Sequence, residues 1–354
     1  MKRQKRNFEK FDAFELYSMF TSKYNLEINN PSSVDSFLDN VKSNVLSSKD
    51  NSIVIHGKRI ETLFAIVAGA LGKVKIIKQE DGGKIYSQKD VNIPDYRIFL
   101  EDGNQILVEV KNFSSNDLYG EYSVNSSYYE GLREYSNTCN VNLYFAIYFR
   151  LLNHWCLVPI EAFRQANKKY KIDYLTAMAR SEMNLIGDMM LHTTPDLELK
   201  LLADPDEAEF LTDYRKEVEF IPRVAEFYCN NNKLDTSYEQ KLAYYFMRFS
   251  DWPEKEFNQI IEDNKLLGLH FIYSCPLEND QPFAPLGWLS SMICNVFREI
   301  TVKDEDVIAT ESFLNPSAFV VNIDDDYNKK YKNLPLWIFN IKPNYDAVVV
   351  KKAP

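Results

Sequence analysis

The sequence predicts an α/β fold: a mixed central sheet flanked by helices, followed by a mainly helical C-terminal region. Three observations carry this expectation. Residues 58–72 are apolar nearly all round, as in a buried helix. Residues 94–111 hold two apolar runs joined around Asp102-Gly103, a dipeptide that tolerates positive φ at low cost, and read as a β-hairpin. Ser127-x-x-Glu130 is a capping-box signature that opens a helix, and the β-rich run at 141–149 follows it.

Taken in order, residues 1–49 read as an N-terminal helical region, and residues 73–77 as the first strand after the buried helix. Pro94-Asp95 opens the second strand, where proline's missing N–H does least harm. The third strand, through Ile106, Glu109 and Lys111, is strongly apolar and therefore expected at the centre of the sheet. A shorter strand is expected at 157–160, amphipathic helices near 160–169 and 175–184, and a β-like run at 197–202. Asp204-Pro205-Asp206 marks a boundary. The regions are then 1–49, a domain over 50–205, and a mainly helical domain over 206–354. In the last, Thr236-x-x-Glu239 caps a helix to about Phe249, Ser250 to Glu254 break it, and a second helix runs to Gly268. A strand at 269–273 and a helix at 288–300 follow. Two helices and a strand admit a winged helix-turn-helix, but Glu254, Glu256, Glu262 and Asp263 outnumber Lys255 and Lys265, which favours a structural helical pair. Asp324-Asp325-Asp326 reads most simply as a solvated loop; EF-hand spacing is absent.

The chemistry concentrates in the hairpin. Glu109 and Lys111, two residues apart, leave the same face of one strand, while Ile106, Val108 and Val110 leave the other. A loop of Asp102 to Asn104 would set Asp95 opposite Lys111 on that face; a two-residue loop would need a bulge to do so. Magnesium prefers oxygen ligands, and Asp95, Glu109 and the main-chain carbonyl of Val110 can supply them. Lys111 would hold or help deprotonate an attacking water and offset phosphate charge. An acid-x-Lys pair is more often a solvated surface pair. The apolar strand and the Pro-Asp start argue for the site here.

Pro94-Asp95 and Glu109-Val110-Lys111 together resemble the signature of the PD-(D/E)xK nuclease superfamily, the restriction-endonuclease-like fold. The resemblance implies an αβββαβ core, Mg²⁺ (with Mn²⁺ as a substitute) and cleavage of DNA phosphodiesters. It also implies an acid on the helix before the first strand, a position matched by Glu61. The other reading of Glu61 is a first-turn acid on the helix dipole, worth roughly 0.3–1 kcal/mol. Tyr128 and Arg133, on the helix after the motif, are candidates to reach the site or ordinary surface residues. The function implied is a metal-dependent endodeoxyribonuclease in restriction, mobile-element defence or repair. The alternative is a catalytically silent nuclease-fold scaffold or binding subunit.

Composition bounds the rest. The 354 residues are 45% hydrophobic, enough for a sizeable core, and no run of about 18 apolar residues suggests a membrane span. Lys2 to Arg6 are basic but no apolar stretch follows, which argues against a secretory leader and for a cytoplasmic protein. Cys139, Cys156, Cys229, Cys275 and Cys294 form no C-x-x-C pair and read as reduced thiols. His56, His154, His192 and His270 are scattered; only His56 is expected near the site. Residues 1–205 carry a net charge of −1 and residues 206–354 a net of −9. That is no strong nucleic-acid footprint, although Lys2–Arg6, Lys58-Arg59 and Lys73/Lys75/Lys78 form local basic patches. DNA is the expected partner ahead of RNA, and the acidic half faces a protein partner or simply solvates. Walker and dinucleotide fingerprints are missing, so neither ATP nor NAD is expected. Tyr244-Tyr245-Phe246 reads as core before it reads as a base-stacking platform.

Overall fold

The computed structural model describes residues 1, 8–49, 51–80, 86–117, 119–211, 218–277, 280–304 and 306–346. The basic run Lys2 to Arg6 lies outside them. Helices α1 (Phe8–Tyr24) and α2 (Pro31–Lys49) lead into α3 (Ser52–Ala70). Asn51 caps α3, its side chain accepting from the N–H groups of Ile53 and Val54. Next come β1 (Val74–Gln79), β2 (Tyr96–Leu100), β3 (Gln105–Phe113), β4 (Glu121–Asn125), α4 (Ser126–Cys139), β5 (Asn142–Phe149) and β6 (His154–Pro159). One five-stranded sheet runs in the order β1-β2-β3-β5-β6, antiparallel except for the β3–β5 pair. A parallel pair needs a crossover, and α4 supplies it. Apart from β4, which pairs in a separate sheet, the succession α3-β1-β2-β3-α4-β5 is the expected αβββαβ, with β3 at the sheet centre.

Side-chain alternation along β3 divides the core. Ile106, Val108 and Val110 pack in one cluster with Leu63, Phe64 and Val67 of α3 and Trp155 of β6. Leu107 joins Phe145, Ile147 and, from α4, Tyr129 and Leu132 in a second cluster on the opposite face. Glu109 and Lys111, in phase with Leu107, therefore lie toward α4. At the hairpin, the Leu100 N–H donates to the Asn104 carbonyl, so the loop is Glu101 to Gly103 rather than Asp102 to Asn104. Gly103 takes φ +91°, and Asp102 accepts from the Asn104 N–H. The register, Tyr96 opposite Val108, continues to Asp95 opposite Glu109, not Lys111. The loop keeps the expected three residues, displaced by one, so Asp95 stays on the face of Glu109 and Lys111.

The capping box does not form. Helix α4 starts from Asn125 without a side-chain cap, and Glu130 accepts from the Tyr170 hydroxyl at 2.6 Å and pairs with Arg133 instead. The helix expected near 160–169 is a 3-10 turn followed by the hairpin β7 (Arg164–Ala166) and β8 (Lys169–Asp173), with Asn167 turning at φ 56°. Strands β4, β8 and β7 make a small sheet of their own. Helix α5 (Tyr174–Ala179) is shorter than expected and β9 (Met190–Thr193) follows.

The C-terminal part is rich in strands, against the expectation of a mainly helical region. After β10 (Leu197–Ala203), β11 (Pro222–Cys229), β12 (Asn232–Lys233) and α6 (Ser237–Phe249) come β13 (Glu254–Glu262) and β14 (Lys265–Tyr273). Thr236 caps α6 as expected, accepting from the Glu239 N–H. The expected second helix is the β13–β14 hairpin, turning at Asp263 (φ 49°) and Asn264 (φ 62°), so no helix-turn-helix exists here. Glu254, Lys255, Glu256 and Glu262, expected on a structural helix, lie instead on an edge strand, where they discourage further pairing. The sheet runs β12-β11-β10-β14-β13, so β10 hydrogen-bonds on both sides to strands beyond the boundary expected at Asp204-Pro205-Asp206. β15 (Ala284–Trp288), α7 (Leu289–Thr301), β16 (Val302–Lys303), β17 (Asp306–Val307), α8 (Tyr327–Lys330) and β18 (Leu336–Phe339) complete the described chain. Residues of α3, α6 and α7 share one core cluster. Tyr245 and Phe246 are buried in it while Tyr244 is exposed. All five cysteines are free thiols. No helix among the described residues is long and apolar enough to cross a membrane.

Asp188 ties α7 in place. Its carboxylate accepts from the Met189 and Ser290 N–H groups and from the Ser290 hydroxyl at 2.6 Å. Burial pushes its pKa up to about 6 despite those bonds. The folded form therefore keeps a proton that the unfolded chain releases, so stability contributed by this group falls as pH rises from the ordinary carboxylate range to about 6. At about 1.4 kcal/mol per unit the loss is on the order of 3 kcal/mol. Asp188→Asn is expected to flatten the stability profile between about pH 4 and pH 6, measured by urea unfolding. An unchanged profile would remove Asp188 as its cause.

Candidate active site

Three elements converge on Glu109. Strand β3 carries it into the interior, 1% exposed, and α4 sets Tyr128 above it. Glu109 Oε1 accepts from the Tyr128 hydroxyl at 2.6 Å and pairs with Lys111 Nζ at 2.5 Å. Lys111 also lies 5.2 Å from the Tyr128 ring centroid, a cation–π contact. Glu109 Oε2 is buried and has no hydrogen-bond partner among the described residues. Asp95 arrives from the start of β2, and its Oδ2 accepts from the Val110 N–H at 2.7 Å.

The electrostatics follow from this crowding. Burial, then the neighbouring charge of Glu109, push Asp95 up to about 7; the Val110 N–H and Lys111 pull the other way, and Glu61 adds to the rise. Burial and then Glu109 also push the hydroxyls of Tyr128 and Tyr122 up. A buried carboxylate oxygen without a donor, beside a second carboxylate that burial disfavours as an anion, is short of positive charge.

Of the residues singled out from sequence, Asp95, Glu109 and Lys111 come together around the Val110 main chain. Glu61 stands close enough to act on Asp95 electrostatically, but its side chain pairs with Lys58 at 2.8 Å. Its carbonyl accepts from the Tyr96 hydroxyl at 3.2 Å. Among the described residues no group of three or more His, Cys, Asp or Glu side chains is placed to hold one metal ion. Tyr128 joins the site, whereas Arg133 turns to Glu130. Burial, and then the charges of Arg150 and Arg59, hold the pKa of His56 down. Tyr122, on β4, was not singled out. The short alternation Glu121-Tyr122-Ser123-Val124 was its only signal.

No protein-family model and no curated protein matches this chain. Among solved structures it is similar to Hjc, a Holliday junction resolvase from the archaeal hyperthermophile Archaeoglobus fulgidus. The identity is 16% and the TM-score 0.30, over 37% of this chain and 95% of that one. The fold reading rests on the strand order, and the chemistry on the side chains.

Proposed function

We propose that the protein is a metal-dependent endonuclease that hydrolyses DNA phosphodiester bonds at Asp95, Glu109 and Lys111. The observation that carries this reading is the buried Glu109 carboxylate, with one oxygen unpartnered and Asp95 beside it. Two carboxylates so close repel each other, and burying both costs several kcal/mol by order of magnitude. That donor set suits a divalent cation. Asp95 and Glu109 would hold it, with the Val110 carbonyl and Glu61 at the margin. A strand residue turns its N–H and C=O to the same side, so the Val110 carbonyl faces the Asp95 edge. Once bound, magnesium or manganese would supply Lewis acidity and neutralise phosphate charge. Lys111, partly exposed at the mouth, is placed to orient water and meet a phosphate oxygen. Tyr128 holds Glu109 in its rotamer.

Supercoiled plasmid incubated with Mg²⁺ or Mn²⁺ is expected to be nicked or cut, and EDTA to stop the reaction. Asp95→Asn and Lys111→Met are each expected to slow it by about a hundredfold or more. Wild-type rates in both variants would displace the site. The absence of a three-acid group among the described residues favours a second reading, a nuclease-fold scaffold that does not cut. Calorimetric titration with Mn²⁺ near neutral pH separates the two: heat lost in Glu109→Gln supports the endonuclease, and no heat in the wild type supports the scaffold.

A further inference from the structure

A second charged cluster lies past the C-terminal end of the β3–β5 pair. Arg59, on α3, donates through Nε and Nη2 to Thr301 Oγ1 at 3.1 and 2.9 Å and lies 5.0 Å from the Phe297 ring centroid. Arg298, on α7, donates to Asn295 Oδ1 at 3.1 Å. The same oxygen accepts from Asn153 at 3.1 Å, in the turn that begins with Arg150. Three elements are thus joined by neutral groups while their guanidiniums gather on one side. Among the described residues none of the three arginines forms an ion pair, nor does Arg180, which donates to the Ala162 carbonyl, whereas Arg97, Arg133, Arg164, Arg223 and Arg248 each have an acid. The acids nearest in sequence are taken: Glu299 pairs with Arg248 and Glu61 with Lys58. In a chain of net charge −10 this is an unusual concentration of unmatched positive charge. The crowding registers on Arg59, whose pKa burial lowers first; Tyr148 and Cys294 pull it up, and the charges of Arg298 and Arg150 lower it further.

Lys111 lies opposite Ile147 in the parallel register, and Arg150 follows three residues later. At about 3.3 Å per residue, the Arg150 backbone stands roughly 10 Å beyond Lys111 along the strand direction; Arg59 and Arg298 come to it from α3 and α7, on the face of the sheet opposite α4. We propose that Arg59, Arg150 and Arg298 form a phosphate-binding surface that holds the backbone of duplex DNA next to the cleavage site. Planar guanidiniums match phosphate oxygens in pairs, and Arg59 is already oriented by Thr301 and Phe297. The inference rests on the nucleic-acid reading above but concerns binding, not cutting.

The test is fluorescence anisotropy of a labelled DNA duplex in EDTA, across a salt series, with the full chain. The exposed pair Arg150→Ala/Arg298→Ala is expected to weaken binding about tenfold or more and to lower the salt slope by about two. Arg223→Ala, on an arginine already paired with Glu207, is the control and is expected to bind as wild type. Glu109→Gln is expected to bind at least as well as wild type. Unaltered affinity and slope in the double variant would overturn the proposal, as would failure of the wild type to bind duplex DNA or a preference for single-stranded RNA. Binding without cleavage would leave this surface standing and sink the catalytic reading; cleavage by a double variant of normal affinity would do the reverse.

Discussion

Lys111→Met is expected to destabilise the protein by about 3–5 kcal/mol in EDTA, while Glu109→Gln leaves it as stable or more so and abolishes the proposed metal-dependent cleavage. The asymmetry follows from what each change strands. Removing the ammonium leaves Glu109, 1% exposed, with only the Tyr128 hydroxyl on Oε1 and nothing on Oε2. Removing the carboxylate charge strands little. Lys111 is 29% exposed and can turn to water, Tyr128 can still donate to the amide oxygen, and Asp95 is relieved of the neighbour that helps push it up to about 7. Glu109→Gln/Lys111→Met should therefore regain most of what Lys111→Met loses. Urea unfolding of the two single variants and the double closes the cycle. The site as described requires a coupling of about 2 kcal/mol or more; Lys111→Met as stable as wild type would contradict it. Manganese should raise the melting temperature of the wild type and leave that of Glu109→Gln unmoved.

What sequence conveyed here was local charge placed against local hydrophobicity. Three charged side chains on otherwise apolar strands mark an interior cost, and cost of that kind survives any detail of register. The hairpin loop shifted by one residue and Asp95 moved from opposite Lys111 to opposite Glu109, yet the shared face held because the loop length did not change. Pattern failed where period is ambiguous. Residues 254–262 hold apolar and charged residues at spacings compatible with a helix, and only the edge position of β13 explains its exposed charges. The Asp263-Asn264 turn was the local signal for the hairpin. Ser127-x-x-Glu130 failed differently: Tyr170, 40 residues away in the β7–β8 hairpin, claims the glutamate that a cap would have used. The arginine cluster was legible only as Lys58-Arg59, since Arg150 and Arg298 reach it from distant segments.

Trp155→Ala is expected to cost about 3–5 kcal/mol and to lower the stability of the whole molecule rather than of one part. The indole is fully buried on β6, packed on Phe64 of α3 at 5.3 Å and Tyr148 of β5 at 5.0 Å between centroids. Its N–H donates to Cys294 Sγ at 3.2 Å, and Cys294 lies on α7. One side chain thus joins the first sheet to a helix packed against the later segments. Truncation removes the aromatic contacts and leaves a cavity between them. If residues 50–205 and 206–354 fold independently, thermal unfolding should show two transitions, of which Trp155→Ala shifts only the first. The shared core cluster and the pairing of β10 across residue 205 argue for one transition that moves as a unit. Calorimetry decides between them: agreement of the calorimetric and van't Hoff enthalpies in both wild type and variant fits a single cooperative unit. An unshifted second transition would mean that Trp155 stabilises the first sheet alone.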